Sequence, residues 1–231
     1  MVEKTSGITA QNELVIDRRF ISMVTLKEKA YLTTKRIFDI LASIIAIILT
    51  SPIFLLVSLA IPLTDFGPAI YTQTRIGKNG KLFKIYKFRS MKTNSAEILK
   101  ELLKDPKIAK EWKNNHKLDN DPRITKIGKF IRKFSIDELP QLFNVLKGDM
   151  SLIGPRPLVE GEIESYKGNK ETYQCMRPGL TGWWAANGRS NLTTKERLEL
   201  EYYYVDNCCL KLDAKCIYRT ATTLFIKNNA K

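Results

Sequence analysis

The sequence predicts an α+β fold that is mostly helical, with one small sheet and a segment that enters a membrane. Three observations carry this reading. An uncharged apolar run occupies Ile40–Pro62, a hairpin signature surrounds Asn79–Gly80, and several later stretches repeat their apolar residues at helical spacing. With 231 residues, the chain has room for a membrane segment and one domain able to bury its own core. The expected division is a polar segment over 1–34, a membrane segment over 35–62 and a main domain over 63–231.

Taken in order, the first thirty residues are polar and lack the apolar stretch of a cleavable secretory signal. The run "ILASIIAIILTSPIFLLVSLAIP" then supplies the roughly 20 apolar residues that a spanning helix requires. Pro52 lacks an amide donor, so a kink is expected near Ile48–Pro52, and Ser51 can bond a nearby carbonyl to lessen its cost. Lys35 and Arg36 precede the run, and Arg75, Lys78, Lys81, Lys84 and Lys87 follow it. Positive flanks stay on the cytoplasmic side. A plain span, a helix–break–helix that returns to its own face and a buried helix of a soluble protein are all compatible with these residues.

"AIYTQTRIGKNGKLFKIYKF" reads as a β-hairpin, with two β-prone arms around Asn79–Gly80. Residues 95–117 read as a charged helix divided at Pro106, either a solvated surface or a basic face for lipid headgroups. "RITKIGKFIRKF" sets Ile124, Ile127 and Ile131 among cations, an amphipathic pattern. Thr193 and Glu196 form a capping box that starts another helix. The tail aligns Leu210, Ala214, Ile217, Ala221 and Leu224 on one stripe, suited to the core or to the membrane interface.

The formal net charge is +14, and residues 70–135 hold eighteen Lys/Arg against six Asp/Glu. Such a field favours an anionic partner: a phosphorylated substrate, anionic lipid or nucleic acid. The four cysteines (Cys175, Cys208, Cys209, Cys216) contain no CxxC pair and His116 is the only histidine, which excludes a Cys/His zinc site. They read as reduced thiols of a cytosol-facing protein.

Within that basic context, "IRKFSIDELPQLFNVLKGDM" presents adjacent acids, Asp137 and Glu138. Ser135-x-x-Glu138 fits a capping box, which would make the pair structural. Pro140, however, fits best at a first helical position. That start would leave both carboxylates beside the positive end of a helix, where a phosphate or metal-bound phosphate is stabilised. "GDMSLIGPRP" holds Arg156 between two prolines, a stiff mount for a bidentate phosphate contact or an exposed cation in a rigid loop. "RPGLTGWWAANGRS" adds Arg177 and Arg189 in a glycine-containing loop, with at least one of Trp183 and Trp184 expected in the core. No P-loop or GxGxxG is present.

"KRIFDI", the apolar run with Ser51–Pro52, "YKFRSMK", "DPRITKIGKFIRKFSIDELPQLFNVLKGDMSLIGPRP" and "RPGLTGWWAANGRS" occur in one order from about Lys35 to Lys227. This ordered set resembles the bacterial sugar transferases, the monotopic phosphoglycosyl transferases. The resemblance implies transfer of a sugar 1-phosphate from a UDP-sugar to polyprenyl (undecaprenyl) phosphate, with release of UMP. That would be the initiating step of exopolysaccharide, capsule, O-antigen or glycoprotein glycan assembly. It also implies a re-entrant membrane helix broken at Ser51–Pro52, a catalytic domain on the cytoplasmic face of the bacterial inner membrane, and a Mg²⁺ requirement.

By the same resemblance, Asp137 is the nucleophile that carries the phosphosugar and Glu138 the Mg²⁺-associated acid. Arg132 and Arg156 match active-site arginines, with Lys87 and Arg89 as further phosphate contacts and Arg177 and Arg189 as nucleotide or acceptor contacts. The partners so implied are a UDP-sugar, polyprenyl phosphate and the membrane, with no nucleic acid; a homo-oligomer is compatible. The chain departs from the family in "DNCCLKLDAKCI", which lacks the tryptophans of the commoner "ENWSLWLDLKIL", and in "GWWAANGRS". A membrane-bound glycosyltransferase of the direct type, releasing UDP, is the alternative.

Overall fold

The apolar run lies inside one long helix, α1 (Leu26–Thr64), of a computed structural model that describes residues 26–115, 118, 120–162, 169–188 and 192–226. Two units are distinguished, residues 1–38 and 39–231; all packing described below belongs to the second. The helix exceeds the expected segment at both ends, and Pro52 and Pro62 both lie within its continuous run of α-helix. The physical reason is local. Proline at 52 removes the amide that would bond the Ile48 carbonyl, and Ser51 Oγ donates to that same carbonyl at 2.8 Å. Most of the helix surface remains apolar and bare: Leu41, Ile45, Ile48, Leu49, Leu55, Leu56, Leu59 and Leu63 are all exposed. It is long and apolar enough to cross a membrane.

Two points fasten α1 to the body. About a third of the way along it, buried Asp39 accepts the Leu152 amide at 3.0 Å. Near its end, Val57 and Ile61 join Phe88 and Ile131 in a core cluster, with Phe54, Ile127, Ile136 and Leu139 packed around it.

The expected hairpin is present. Strands β1 (Ile70–Ile76) and β2 (Leu82–Phe88) pair antiparallel, Ile70 opposite Phe88 and Ile76 opposite Leu82. Asn79 (φ 55°) and Gly80 (φ 75°) take the left-handed conformations that this dipeptide tolerates. Helices α2 (Ser95–Leu102) and α3 (Pro106–Asn115) divide at Pro106 as predicted. Helix α4 (Lys126–Lys133) starts on a Thr125 side-chain cap and buries Gly128 and Ile131. Helix α5 (Gln141–Lys147) follows and ends at Gly148 in the left-handed region. Its buried Asn144 accepts the Tyr86 amide (2.9 Å) and donates to the Lys84 carbonyl (2.8 Å), so a side chain replaces a strand along the edge of β2.

The sheet content exceeds the single hairpin expected. Strands β3 (Ser151–Ile153) and β4 (Gly179–Thr181) form a second, parallel pair. Helices α6 (Lys170–Gln174), α7 (Trp183–Ala186), α8 (Thr194–Asn207) and α9 (Leu210–Ile226) complete the described residues. The capping box at Thr193–Glu196 forms as expected. The stripe predicted for the tail helix does not face the body: Leu210, Ala214 and Ile217 are exposed, whereas Leu212, Asp213 and Cys216 are buried. Asp213 is tolerated there because Tyr204 donates to it at 2.6 Å. Trp183 is buried, stacked on Tyr203, with Lys215 and Arg219 over its ring.

Candidate active site

Asp137 and Glu138 stand in a 3₁₀ turn, Ile136–Glu138, that joins α4 to α5. The turn is entered through Ser135 at φ 56°, a conformation that a residue with a Cβ rarely adopts. No side-chain cap bond is made by Ser135, so the capping-box reading of the acid pair is not the one the chain follows. Pro140 sits one position earlier than expected, at the N-cap of α5, and is fully buried. Ile136 and Leu139 anchor the turn in the cluster of Val57, Ile61, Phe88 and Ile131, which leaves the two acids between them half-buried.

Two cations from different elements reach the pair. Lys87, the penultimate residue of β2, places Nζ 2.9 Å from Glu138 Oε1. Arg132, in the last turn of α4, donates through Nε to Ser90 Oγ at 2.8 Å. Burial, and then the charge of Glu138, push the Asp137 carboxyl up to about 6; Lys87 and Arg132 pull it down and keep it from rising further. The result is a carboxyl that is ionised at neutral pH but held in a poorly solvated place, the condition in which an acid becomes a usable nucleophile or base. Beside Arg132 lies a further buried pair, in which Arg123 donates to Asp121 through Nε (2.8 Å) and Nη2 (2.6 Å) while stacking over Trp112.

The other expected contacts are placed elsewhere. Arg89 does not turn toward the acids: its guanidinium is buried against Asp65 and the Pro68 carbonyl, closing the loop after α1. Arg177 donates to the Gly148 carbonyl at 2.8 Å and ties β4 to the end of α5. Arg156 is half-buried in a second charged cluster, where Nη1 meets Glu162 at 2.5 Å and Arg197 approaches the same carboxylate at 3.4 Å. Its loop is clamped through the backbone: the Arg156 amide donates to Glu201 (2.9 Å) and Tyr173 donates to the Arg156 carbonyl (2.8 Å). Glu201 is 1% exposed, and burial raises its carboxyl to about 7. Lys35 is buried and Arg36 half-buried, both in the opening part of α1; Arg189 lies outside the described residues. Sequence reasoning had not singled out Ser90, Asp121, Arg123, Glu162, Tyr173 or Glu201. The only sequence signal for Ser90 was its place in "YKFRSMK".

Residues 30–227 match the sequence profile of a family described as bacterial sugar transferase. The chain belongs to that family. Among curated relatives, it is 48% identical over 197 residues to an undecaprenyl-phosphate galactose phosphotransferase of Salmonella typhimurium, covering 85% of this chain and 41% of that protein. It is 44% identical to the exopolysaccharide production protein ExoY of Sinorhizobium fredii, covering 81% and 83% respectively. A UDP-N-acetylgalactosamine-undecaprenyl-phosphate N-acetylgalactosaminephosphotransferase of Aeromonas hydrophila is 39% identical, over 86% of this chain and 45% of that protein. The chain thus spans most of the Sinorhizobium protein but less than half of the Salmonella and Aeromonas proteins.

The donor set at the turn can be tested against a magnesium ion. Mg²⁺ is held by one or two carboxylates plus substrate phosphates and keeps several of its waters, so it does not need a full protein cage. Among the described residues no group of three or more metal-ligating side chains occurs. Two adjacent half-buried carboxylates, with Lys87 on one and the charge of Arg132 reaching the other, fit the looser arrangement.

Proposed function

We propose that this bacterial sugar transferase moves a sugar 1-phosphate from a UDP-sugar to polyprenyl phosphate, releasing UMP. The observation that carries the reading is Asp137, raised to about 6 in a turn flanked by Glu138, Lys87 and Arg132. An Asp137 carboxylate oxygen attacks the sugar-bearing phosphorus, the bond from that phosphorus to the bridging oxygen breaks, and its electron pair leaves on UMP. A phosphate oxygen of the polyprenyl acceptor then attacks the aspartyl phosphorus and expels the carboxylate, restoring Asp137. Arg132 and Lys87 offset the diphosphate charge that would otherwise repel an anionic nucleophile. Mg²⁺, held by Glu138 and diphosphate oxygens, would supply further charge neutralisation when bound. Arg156, on its clamped loop, is a third candidate phosphate contact once Glu162 yields it.

The attachments of α1 support a reading of its position at the membrane. Asp39 and Ile61 are separated by 22 residues, about 33 Å along a straight helix, yet both pack on the same body, through Leu152 and through Phe88 and Ile131. A straight span would carry one of those attachments to the far side of the bilayer. We therefore favour a helix that bends within the membrane and returns, with the body on the cytoplasmic face, where both positive flanks can stay.

The test is UMP release by the purified chain supplied with polyprenyl phosphate, Mg²⁺ and a panel of UDP-sugars, beginning with galactose and N-acetylgalactosamine. Asp137→Asn is expected to lose more than about a thousandfold in rate, and Glu138→Gln about 10–100-fold. Chelation of the ion is expected to stop turnover. UDP in place of UMP would establish direct glycosyl transfer instead, and full activity in Asp137→Asn would remove the covalent step.

A further inference from the structure

Ser90 follows β2 and is 8% exposed. Its backbone is where α4 lands: the Ser90 carbonyl accepts the Thr125 amide at 3.1 Å, and a Cβ at Gly128 would lie 1.9 Å from that carbonyl oxygen. Helix and strand exit therefore touch backbone to backbone, which fixes the height and rotation of α4 over Ser90. One turn further along α4, Arg132 reaches back, and its Nε donates to Ser90 Oγ at 2.8 Å.

Among the described residues, Arg132 is hydrogen-bonded through Nε alone. The two terminal nitrogens, which form the bidentate fork, are left for an anion. An arginine otherwise gives up about 2 kcal/mol of rotamer freedom when it is fixed. Anchoring it beforehand removes that loss from the reaction and holds the fork in one place. The field of Arg132 reaches Asp137 on one side and the Asp121–Arg123 pair on the other, so its position matters to the acid whose chemistry is proposed.

We infer that Ser90 is a positioning residue for phosphoryl transfer: its hydroxyl anchors Arg132 so that the guanidinium fork is presented to the phosphoryl group attacked by Asp137. The inference rests on the function proposed above. A merely structural serine would be a satisfied buried hydroxyl whose loss costs stability but leaves the chemical step alone.

The experiment compares steady-state UMP release by the full chain in detergent for wild type, Ser90→Ala, Ser90→Thr, Arg132→Lys and the Ser90→Ala/Arg132→Lys double variant, with thermal unfolding of each. Ser90→Ala is expected to lower kcat about 10–100-fold, the usual effect of removing a group that orients a site residue, with donor KM changed less than about threefold. Ser90→Thr, which keeps the hydroxyl, should return kcat to within about threefold of wild type. The double variant should be no slower than Arg132→Lys alone, because the serine then has nothing left to position. Four kinetic results overturn the inference: a Ser90→Ala kcat within twofold of wild type, a rise in KM alone, no recovery with threonine, or additive losses in the double variant. A large fall in unfolding temperature that accounts for the lost activity also overturns it. Failure of the functional reading looks different, since wild type itself would then release no UMP.

Discussion

At the scale of single residues, the proposed reaction turns on Asp137, and the surroundings of that carboxyl set the pH range expected of it. Its carboxyl moves from an ordinary 3.8 to about 6, through burial first and Glu138 second. Only the ionised form can attack phosphorus, so the rate is expected to fall about tenfold between pH 7 and pH 5. A cation bound beside the pair would shift that limb to lower pH, so a pH–rate profile of the first half-reaction at two magnesium concentrations checks both statements. The sign for stability is the opposite. Because the folded-state value is raised, the contribution of this group to folding is fully present below about pH 4 and is lost as pH rises through about 6. Asp137→Asn carries no charge to desolvate. It should therefore unfold at the same temperature as wild type or higher at pH 7.5, while catalysing nothing; a clear drop in unfolding temperature would contradict this account of the carboxyl.

At the scale of elements, the closest packing in the site is Gly128 of α4 on the Ser90 carbonyl. Gly128→Ala is expected to cost at least about 2 kcal/mol, because a backbone oxygen at 1.9 Å cannot give way as a side chain can; chemical denaturation in detergent measures it, and an unchanged midpoint would contradict the contact. How far the sequence disclosed these elements depends on the range of the interactions that shape them. The hairpin was legible because Asn79–Gly80 carries its own backbone preference, and α4 because Ile127 and Ile131 repeat at helical spacing. Strands β3 and β4 were not, since three residues between glycines and prolines display no period. The sequence left the stripe of α9 open between the core and the membrane interface, because Asp213 is buried in partnership with Tyr204, a contact that hydropathy cannot anticipate. Likewise Asp137, Glu138, Lys87 and Arg132 belong to motifs. The groups that orient the arginines (Ser90 for Arg132, Glu201 and Tyr173 for the Arg156 loop) act across 42, 45 and 17 positions of the chain.

At the scale of the whole molecule, the question is which side of a bilayer each end of α1 faces. Both anchor points of α1 bind one body, so single cysteines at Val2 and Ser95, in a background without the four native cysteines, are expected to react together with a membrane-impermeant maleimide from the cytoplasmic side. Labelling from opposite sides would establish a plain span. The joint where α4 lands has a consequence on this scale too. The Ser90–Thr125 bond, the Met91–Ile124 bridge and the Lys92–Arg123 bond (2.8 Å) close a neck in the chain, and α2 and α3 lie in the excursion beyond it. Helix α2 buries none of its residues, and Trp112 of α3, stacked on Arg123, is a tether back to the neck. Doubling the length of such a closed excursion costs only about 0.6 kcal/mol of chain entropy. The segment is built as a cassette: its length and charge can change at little cost in chain entropy while the bonds of the neck stay closed.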